Sequence, residues 1–526
     1  MSPPKRAFIF ALLPAVLAIY ALFSISTASP PLPALLHSRG VAALARARAV
    51  FSPRGPPRPP AAAPLPAAPF VDINAPFTSS NAAAAASAPA PSPAPFSALS
   101  ATLLSIDFHI SPIWDLKHLL SASFPAARVS DRSLSGACGR PGTCATPATL
   151  AVLRQGDVDH SMHLSPGVRR EFFGAYAPGG GGGALVAASD AMVCSHPTGM
   201  CEVVMPFNRS VFLWATTRFE QGRERSAARF GGFVRNFRAM AALPGSAVLA
   251  NNMYDAHYVR YFTGLPVTYL PSLCAYPGVK WAGGGGARGG AGPLRVLVHG
   301  YRPHRGGVGL DAFIAPLRAA VGGAATFIEL RAALGEDYEY QALVDGAAAV
   351  LHIPYQVSVM SFFEHYRMGV PLLAPSLELL TRWHMAHGMV SERTWDTVLA
   401  NAPAGGSVLP RHPDADEPFD PNDEHSEEAV RWWLQWSDFY VFPHVILFDS
   451  WEDAAQKLAA VDLTAVSRSM RAFSDEQEAA VKEQWAGLLR GLPSRAERDA
   501  SDARLAGLTY DQRMDAIYGA GAWAQY

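Results

Sequence analysis

The chain is poor in net charge and in cysteine. Its 43 Lys and Arg against 44 Asp and Glu leave a formal net charge of −1 over 526 residues. That balance speaks against a broad nucleic-acid footprint, which shows as a basic face or a high pI. Five cysteines in so long a chain do not make a disulfide scaffold. Cys138 and Cys144 are near neighbours, as are Cys194 and Cys201, while Cys274 stands apart, so two short bridges and one free thiol are expected. No pair has C-x2-C spacing and no histidine pair sits beside them, which disfavours structural zinc. A phosphate loop is missing too, because Gly179–Gly183 is not followed by the helix and lysine that such a loop needs. Asp414-Ala-Asp416 has a metal-binding D-x-D form but sits in a polar loop with no apolar strand leading into it, so no metal site is expected. Asp420-Pro-Asn-Asp423 lacks the glycine and terminal Glu of an EF-hand.

Proline, alanine and glycine are plentiful, and they divide the chain. After a short tail at residues 1–6, an uncharged apolar run from Ala7 to Ser26 follows Lys5 and Arg6. A bilayer needs about 20 such residues, and the preceding basic pair keeps the tail cytosolic. Ser26-Thr-Ala-Ser29 leaves open a cleaved signal peptide instead. Residues 27–98 are Pro, Ala and Ser with few charges, a stem unable to bury enough apolar surface to fold. Asn208-Arg-Ser210 is a glycosylation sequon, usable if this region is lumenal.

Folded structure is expected from about Leu103. Ser105–Ile113 reads as a strand and its turn, with a helix over Asp115–Phe124. Strand-sized apolar runs at Ala184–Ser189, Ser210–Thr216, Ala247–Ala250 and Pro266–Leu273 alternate with helical stretches at Pro166–Tyr176, Gln221–Leu243 and Met253–Phe262. Glycines at 277–293 then predict a flexible linker. A second alternation begins with Leu294–His299 and continues with a helix at Gly309–Ala320, a strand at Ala325–Leu330 and a helix at Tyr338–Ala347. The expected fold is α/β, with two successive domains built on parallel sheets at 103–276 and 294–465, and a helical tail at 466–526.

The densest information lies in Asp345–Ser376. An apolar run at Ala347–Ile353, a hydroxyl-rich turn, a helix opening near Ser358 to Ser361 and a further apolar run after Gly369-Val370-Pro371 form a strand, helix and strand. A helix N-terminus with Ser358 and Ser361 favours an anion such as a phosphate. Glu364, Gly369 and Pro371 spell E-x4-G-x-P, which resembles the corresponding helix of nucleotide-sugar glycosyltransferases of the GT-B fold. The resemblance implies that the two α/β domains are Rossmann-like and face a cleft, that Glu364 meets the donor ribose and that the Gly-x-Pro ends the helix. In the retaining branch an earlier acidic position makes E-x7-E, and here it falls on Gln356, a departure from glycogen-synthase-like enzymes. Tail, anchor, stem and large lumenal region together resemble type II enzymes of the Golgi, or of the endoplasmic reticulum.

What the resemblance implies can be carried to particular residues. The loop Gly300–Gly307 offers Arg302, Arg305 and His304 to a donor pyrophosphate, at the carboxyl end of a strand where open α/β sheets bind ligands. Asp107 and His109, ending the first strand, are the candidates for a base that takes the acceptor's hydroxyl proton. Arg218, Glu220 and Arg223 follow another strand, and Asp255 and His257 open a helix, each with a cleft or a capping role. Trp432, Trp433 and Trp436 at helical spacing read as core. The implied partners are a nucleotide-sugar donor and a glycan or glycoconjugate acceptor, with no further cofactor and no metal. The alternative is a membrane-tethered sugar-binding or scaffold protein that keeps the fold without catalysis.

Overall fold

The computed structural model describes residues 95–134, 138, 164–196, 198–220, 226–286, 292–302, 307–395 and 404–524. The apolar run at 7–26 and all but the last residues of the stem lie outside them. Among the described residues no helix is long and apolar enough to cross a membrane.

The first sheet has six strands: β1 (Ala101–Asp107), β2 (Ala127–Ser133), β3 (Ala191–Cys194), β4 (Ser210–Ala215), β5 (Ala247–Ala250) and β6 (Thr268–Tyr269). Their order is β2-β1-β3-β4-β5-β6, with every pair parallel. The second has five strands: β7 (Leu294–His299), β8 (Ala325–Glu329), β9 (Ala349–His352), β10 (Leu372–Pro375) and β11 (Ile446–Phe448), in the order β11-β10-β9-β7-β8 and again all parallel. Parallel strands carry helices on both faces, which is why β4 and β9 are buried at every position. Strand order reverses between β1 and β3 in one sheet and between β7 and β9 in the other. Such switch points open a crevice at the carboxyl ends of the strands.

Several expected elements form with little change. Helix Pro166–Tyr176 starts where Ser165 accepts the Val168 N–H and proline occupies the first turn. Helix Met253–Thr263 is capped by Asn252, whose side chain accepts the Asp255 N–H at 2.7 Å, and Gly264 closes it in the left-handed region. Others differ. The run read as a strand at Ala184–Ser189 is the helix Gly183–Ala188, and the strand lies just beyond it, at Ala191–Cys194. Alanine and leucine favour helix, and a buried strand so short leaves no alternation to detect. Strand β2, with Arg128, Asp131 and Arg132 in it, went unread because only part of it is buried. The strand expected over Pro266–Leu273 shrinks to Thr268–Tyr269.

The glycine-rich linker is pinned over its described part. Trp281 is buried, its indole N–H donates to Ala347 O at 2.7 Å, and Gly285 N–H donates to Asp345 O at 3.0 Å. A Cβ on Gly284 or Gly285 would collide with the backbone of residues 344–348. These glycines therefore serve close approach of two backbones rather than flexibility.

Two long segments tie the sheets together. Helix Leu463–Arg490 begins in the core of the second sheet with Leu463 and Met470 and ends in that of the first with Val481, Trp485, Ala486 and Leu489. The Trp485 ring meets Phe212 and Trp214 edge-on, each at 5.9 Å. Over its described part, 466–524, the expected helical tail is thus helical and packed against the rest of the chain. The connection from β10 to β11 reaches back over helix Met253–Thr263: Glu417 pairs with His257 Nδ1 at 2.8 Å, Asp416 pairs with Arg260, and Asn422 donates to Tyr258 Oη at 2.9 Å. Trp433 is buried against Tyr254, Tyr258 and Tyr261. Within the connection, buried Glu424 accepts from Arg393 Nε at 2.8 Å and bonds His384 Nε2 at 2.7 Å. Cys194 and Cys201 form a disulfide, Cys138 is also disulfide-bonded, Cys144 lies outside the described residues, and Cys274 is a buried free thiol.

Candidate functional site

At the switch point of the second sheet, β7 and β9 end in His299 and His352, which are register partners. His299 Nε2 lies 2.9 Å from Ser361 Oγ, on the first turn of helix Met360–Met368. Burial, then Arg331 and Arg302, push the His299 pKa down to about 4, so the ring is neutral. The His352 and His365 rings lie 4.8 and 5.7 Å from that of His299, and burial holds both well below the usual histidine range. Glu364, three residues after Ser361, lies on the same face of the helix. Its Oε1 accepts from the hydroxyls of Tyr276 and, at 2.9 Å, Tyr340. Burial raises its pKa and those hydroxyls oppose the rise.

Arg302, on the loop after β7, lies over the Tyr355 ring at 4.1 Å, and its Nη1 is 3.3 Å from Glu392 Oε1. The Gln356 amide donates to the other carboxylate oxygen of Glu392. Arg218, from the loop after β4, donates to the Glu392 carbonyl at 2.8 Å and stacks 5.6 Å from Trp395, whose indole N–H donates back to Arg218 O at 3.1 Å. Loops from both sheets therefore meet at residues 392–395. Gln356, singled out above for the missing acidic group, contributes a hydrogen-bond donor here.

The expected residues are distributed unevenly. Ser361 is held against His299 at the end of β7, Glu364 lies one turn further along the same helix, and Arg302 lies on the loop that follows β7. Ser358 is buried, its hydroxyl opposing the upward pKa shift that burial imposes on Asp438, so it does not face the crevice. Val359 occupies the N-cap position without a side-chain bond. His304, Arg305 and Arg223 lie outside the described residues. Asp107 is buried and accepts from Ser133 Oγ at 2.9 Å; burial lifts its pKa to about 7. With no exposed surface it cannot touch an acceptor itself. His109 is exposed, caps helix Ile110–Ser123 by accepting the Ser111 N–H at Nδ1 (3.4 Å), and its ring lies 5.2 Å from His196. With Nδ1 accepting, the neutral ring carries its proton on Nε2. His196 follows β3 across the first sheet's switch point; burial, then His109 and Arg218, push its pKa down to about 3.

No family model matches the chain, and no curated protein matches it. Solved structures do. SnogD, a glycosyltransferase from Streptomyces nogalater, is 14% identical; the alignment covers 77% of this chain and 100% of that one, with a TM-score of 0.35. The glycotransferase of kitacinnamycin is 13% identical over 75% of this chain and 99% of its own, at a TM-score of 0.37. CalG4, the calicheamicin glycosyltransferase, is 10% identical over 74% and 98%, at 0.36.

The remaining candidates have partners away from the crevice ends of β7 and β9. Glu220 accepts from Tyr258 Oη at 2.5 Å, and Asp255 is buried beside its capping partner Asn252. Asp414 lies 3.6 Å from His412 Nδ1, and Asp416 is tied to Arg260. Among the described residues no cluster of three or more His, Cys, Asp or Glu has the geometry of a metal site. Sequence reasoning missed Tyr276, Tyr340, Glu392, His196, His299 and His352. A signal existed for His299 and His352, because each stands at or next to the end of an apolar run that reads as a parallel strand.

Proposed function

We propose that this chain is a glycosyltransferase that moves a sugar from a nucleotide-sugar to a hydroxyl of a glycan or glycoconjugate. The observation that supports the reading is the β7/β9 switch point, where Ser361 bonds His299, Arg302 follows β7 and packs on Tyr355, Glu364 lies a turn further along the helix, and Arg218 from the first sheet reaches the Glu392 carbonyl. Arg302 and the helix N-terminus at Ser361 suit the diphosphate, whose charge grows as the sugar departs. Glu364 suits the ribose hydroxyls, because its Oε2 is left open by two bonds that both fall on Oε1. Arg302 would exchange the Glu392 carboxylate for phosphate oxygens, a like-for-like replacement of one anion by another. On the acceptor side His109 Nδ1 is the basic nitrogen, free to take a proton once the long bond from Ser111 opens. Asp107 acts behind it by holding the end of β1. The secretory-pathway setting and the type II anchor at 7–26 belong to the same proposal and rest on the sequence.

Glu364→Ala is expected to weaken nucleotide binding by roughly 1.5–3 kcal/mol, the value of hydrogen bonds to a charged acceptor. Arg302→Ala should lower turnover more than it raises the donor KM, because the leaving charge is greatest in the transition state. Calorimetry and steady-state kinetics read both, and unchanged values in folded variants would remove these residues from the site. Burial of Asp107 favours one rival, a sugar-binding protein without catalysis. Nucleotide binding with no turnover on any acceptor would select it.

A further inference from the structure

Glu364 is held by two tyrosines that arrive from different parts of the chain. Tyr276 lies in the segment leaving the first sheet, beyond β6, and Tyr340 opens helix Tyr340–Gly346 of the second. Their rings are 6.2 Å apart, and both hydroxyls donate to the same carboxylate oxygen. Tyr276 is packed edge-on by His118 at 6.4 Å, and Tyr340 by Tyr338 at 6.3 Å. Two donors on one oxygen fix the plane of the carboxylate and leave its other oxygen for a ligand that donates hydrogen bonds.

We propose that Tyr276 and Tyr340 are positioning residues that aim Glu364 Oε2 at the ribose diol of the donor and so set selection for a ribonucleotide. This rests on the placing of Glu364 in the nucleotide site given above. A second task follows from the surroundings. Glu364 faces Asp115, whose pKa burial raises to about 7, and the buried Cys274 thiol, together with Tyr338. Arg367 is the positive group beside Asp115. Burial favours the neutral carboxyl of Glu364, and the two hydroxyls are what oppose that shift. Removing either hydroxyl moves the Glu364 titration upward, so that a carboxylate ready to accept from the diol is lost at higher pH.

The test uses the full chain with UDP and GDP and their 2′,3′-dideoxy counterparts, and reads the ratio of dideoxy to ribo Kd. Wild type should prefer the ribonucleotide by about tenfold or more, the scale of hydrogen bonds to a charged acceptor. Tyr276→Phe and Tyr340→Phe should each shrink that ratio, and the double variant should bring it near that of Glu364→Ala. On acidification the preference should disappear at a higher pH in the phenylalanine variants than in wild type. A structural role would weaken ribo and dideoxy forms equally; an unchanged ratio and pH midpoint in the tyrosine variants, with the ratio collapsed in Glu364→Ala, overturns the tyrosine proposal alone. An unchanged ratio in Glu364→Ala, or no binding of either nucleotide to wild type, overturns the nucleotide-site reading and this proposal with it.

Discussion

Gly369 sits at φ +73°, ending helix Met360–Met368, where its N–H donates to Tyr366 O at 2.9 Å. A Cβ there would stand 2.9 Å from the side chains of both Arg471 and Ser467. The Gly of E-x4-G-x-P thus has a backbone purpose that needs no ligand, whereas Glu364 of the same motif has two hydroxyl partners and an open oxygen. Gly369→Ala should cost about 2 kcal/mol, from the left-handed penalty and the displaced neighbours, with nucleotide affinity per folded molecule kept. Urea midpoints beside calorimetry separate the two. Sequence reasoning placed Arg302 after a strand and Ser361 and Glu364 on the helix that follows another, because strand ends and helix starts are visible in apolar runs and turn residues. It erred on Asp107 and Ser358 because which side of a chain turns inward depends on neighbours far along it: Ser133 for one, Asp438 for the other.

Elements that alternate strongly were legible nearly to the residue. Leu294–His299 and Pro166–Tyr176 match their expected bounds, since one is a compact apolar run and the other is bracketed by its Ser165-Pro166 start. Short or polar strands such as Ala191–Cys194 and Ala127–Ser133 were not, because parallel pairing with β1 defines them and pairing leaves no local mark. The same holds for helix Leu463–Arg490, whose helical character is readable but whose passage from one core to the other is not. Trp485 is the anchor of its far end. Trp485→Ala is expected to destabilise by roughly 3–5 kcal/mol through the cavity left against Phe212 and Trp214. The loss should appear in thermal melting and should spare the bonds at Glu364.

At the scale of the molecule, acid is expected to loosen the β10–β11 connection. Burial alone would raise the Glu424 pKa, yet Arg393 and His384 overrule it and hold the carboxyl at about 2. Because the folded value is depressed from 4.5, the ion pair contributes its full stability above the unfolded value and loses it as pH falls toward the folded one. Stability should therefore decline from about pH 5 to pH 2. Glu424→Gln should flatten that decline while lowering stability at neutral pH by about 3–5 kcal/mol, since Arg393 stays buried and unpaired in charge. Denaturant midpoints across the pH range decide it. The helix that crosses between cores also sets an order of events during synthesis. Phe212 and Trp214 emerge from the ribosome long before Trp485, and at about 5–20 residues per second the intervening chain takes roughly a quarter of a minute to a minute to appear. Until then the first sheet has an uncovered aromatic face. Over that interval the nascent protein is expected to bind chaperones, and a chain truncated before residue 480 is expected to stay bound, which a pulldown of stalled chains checks.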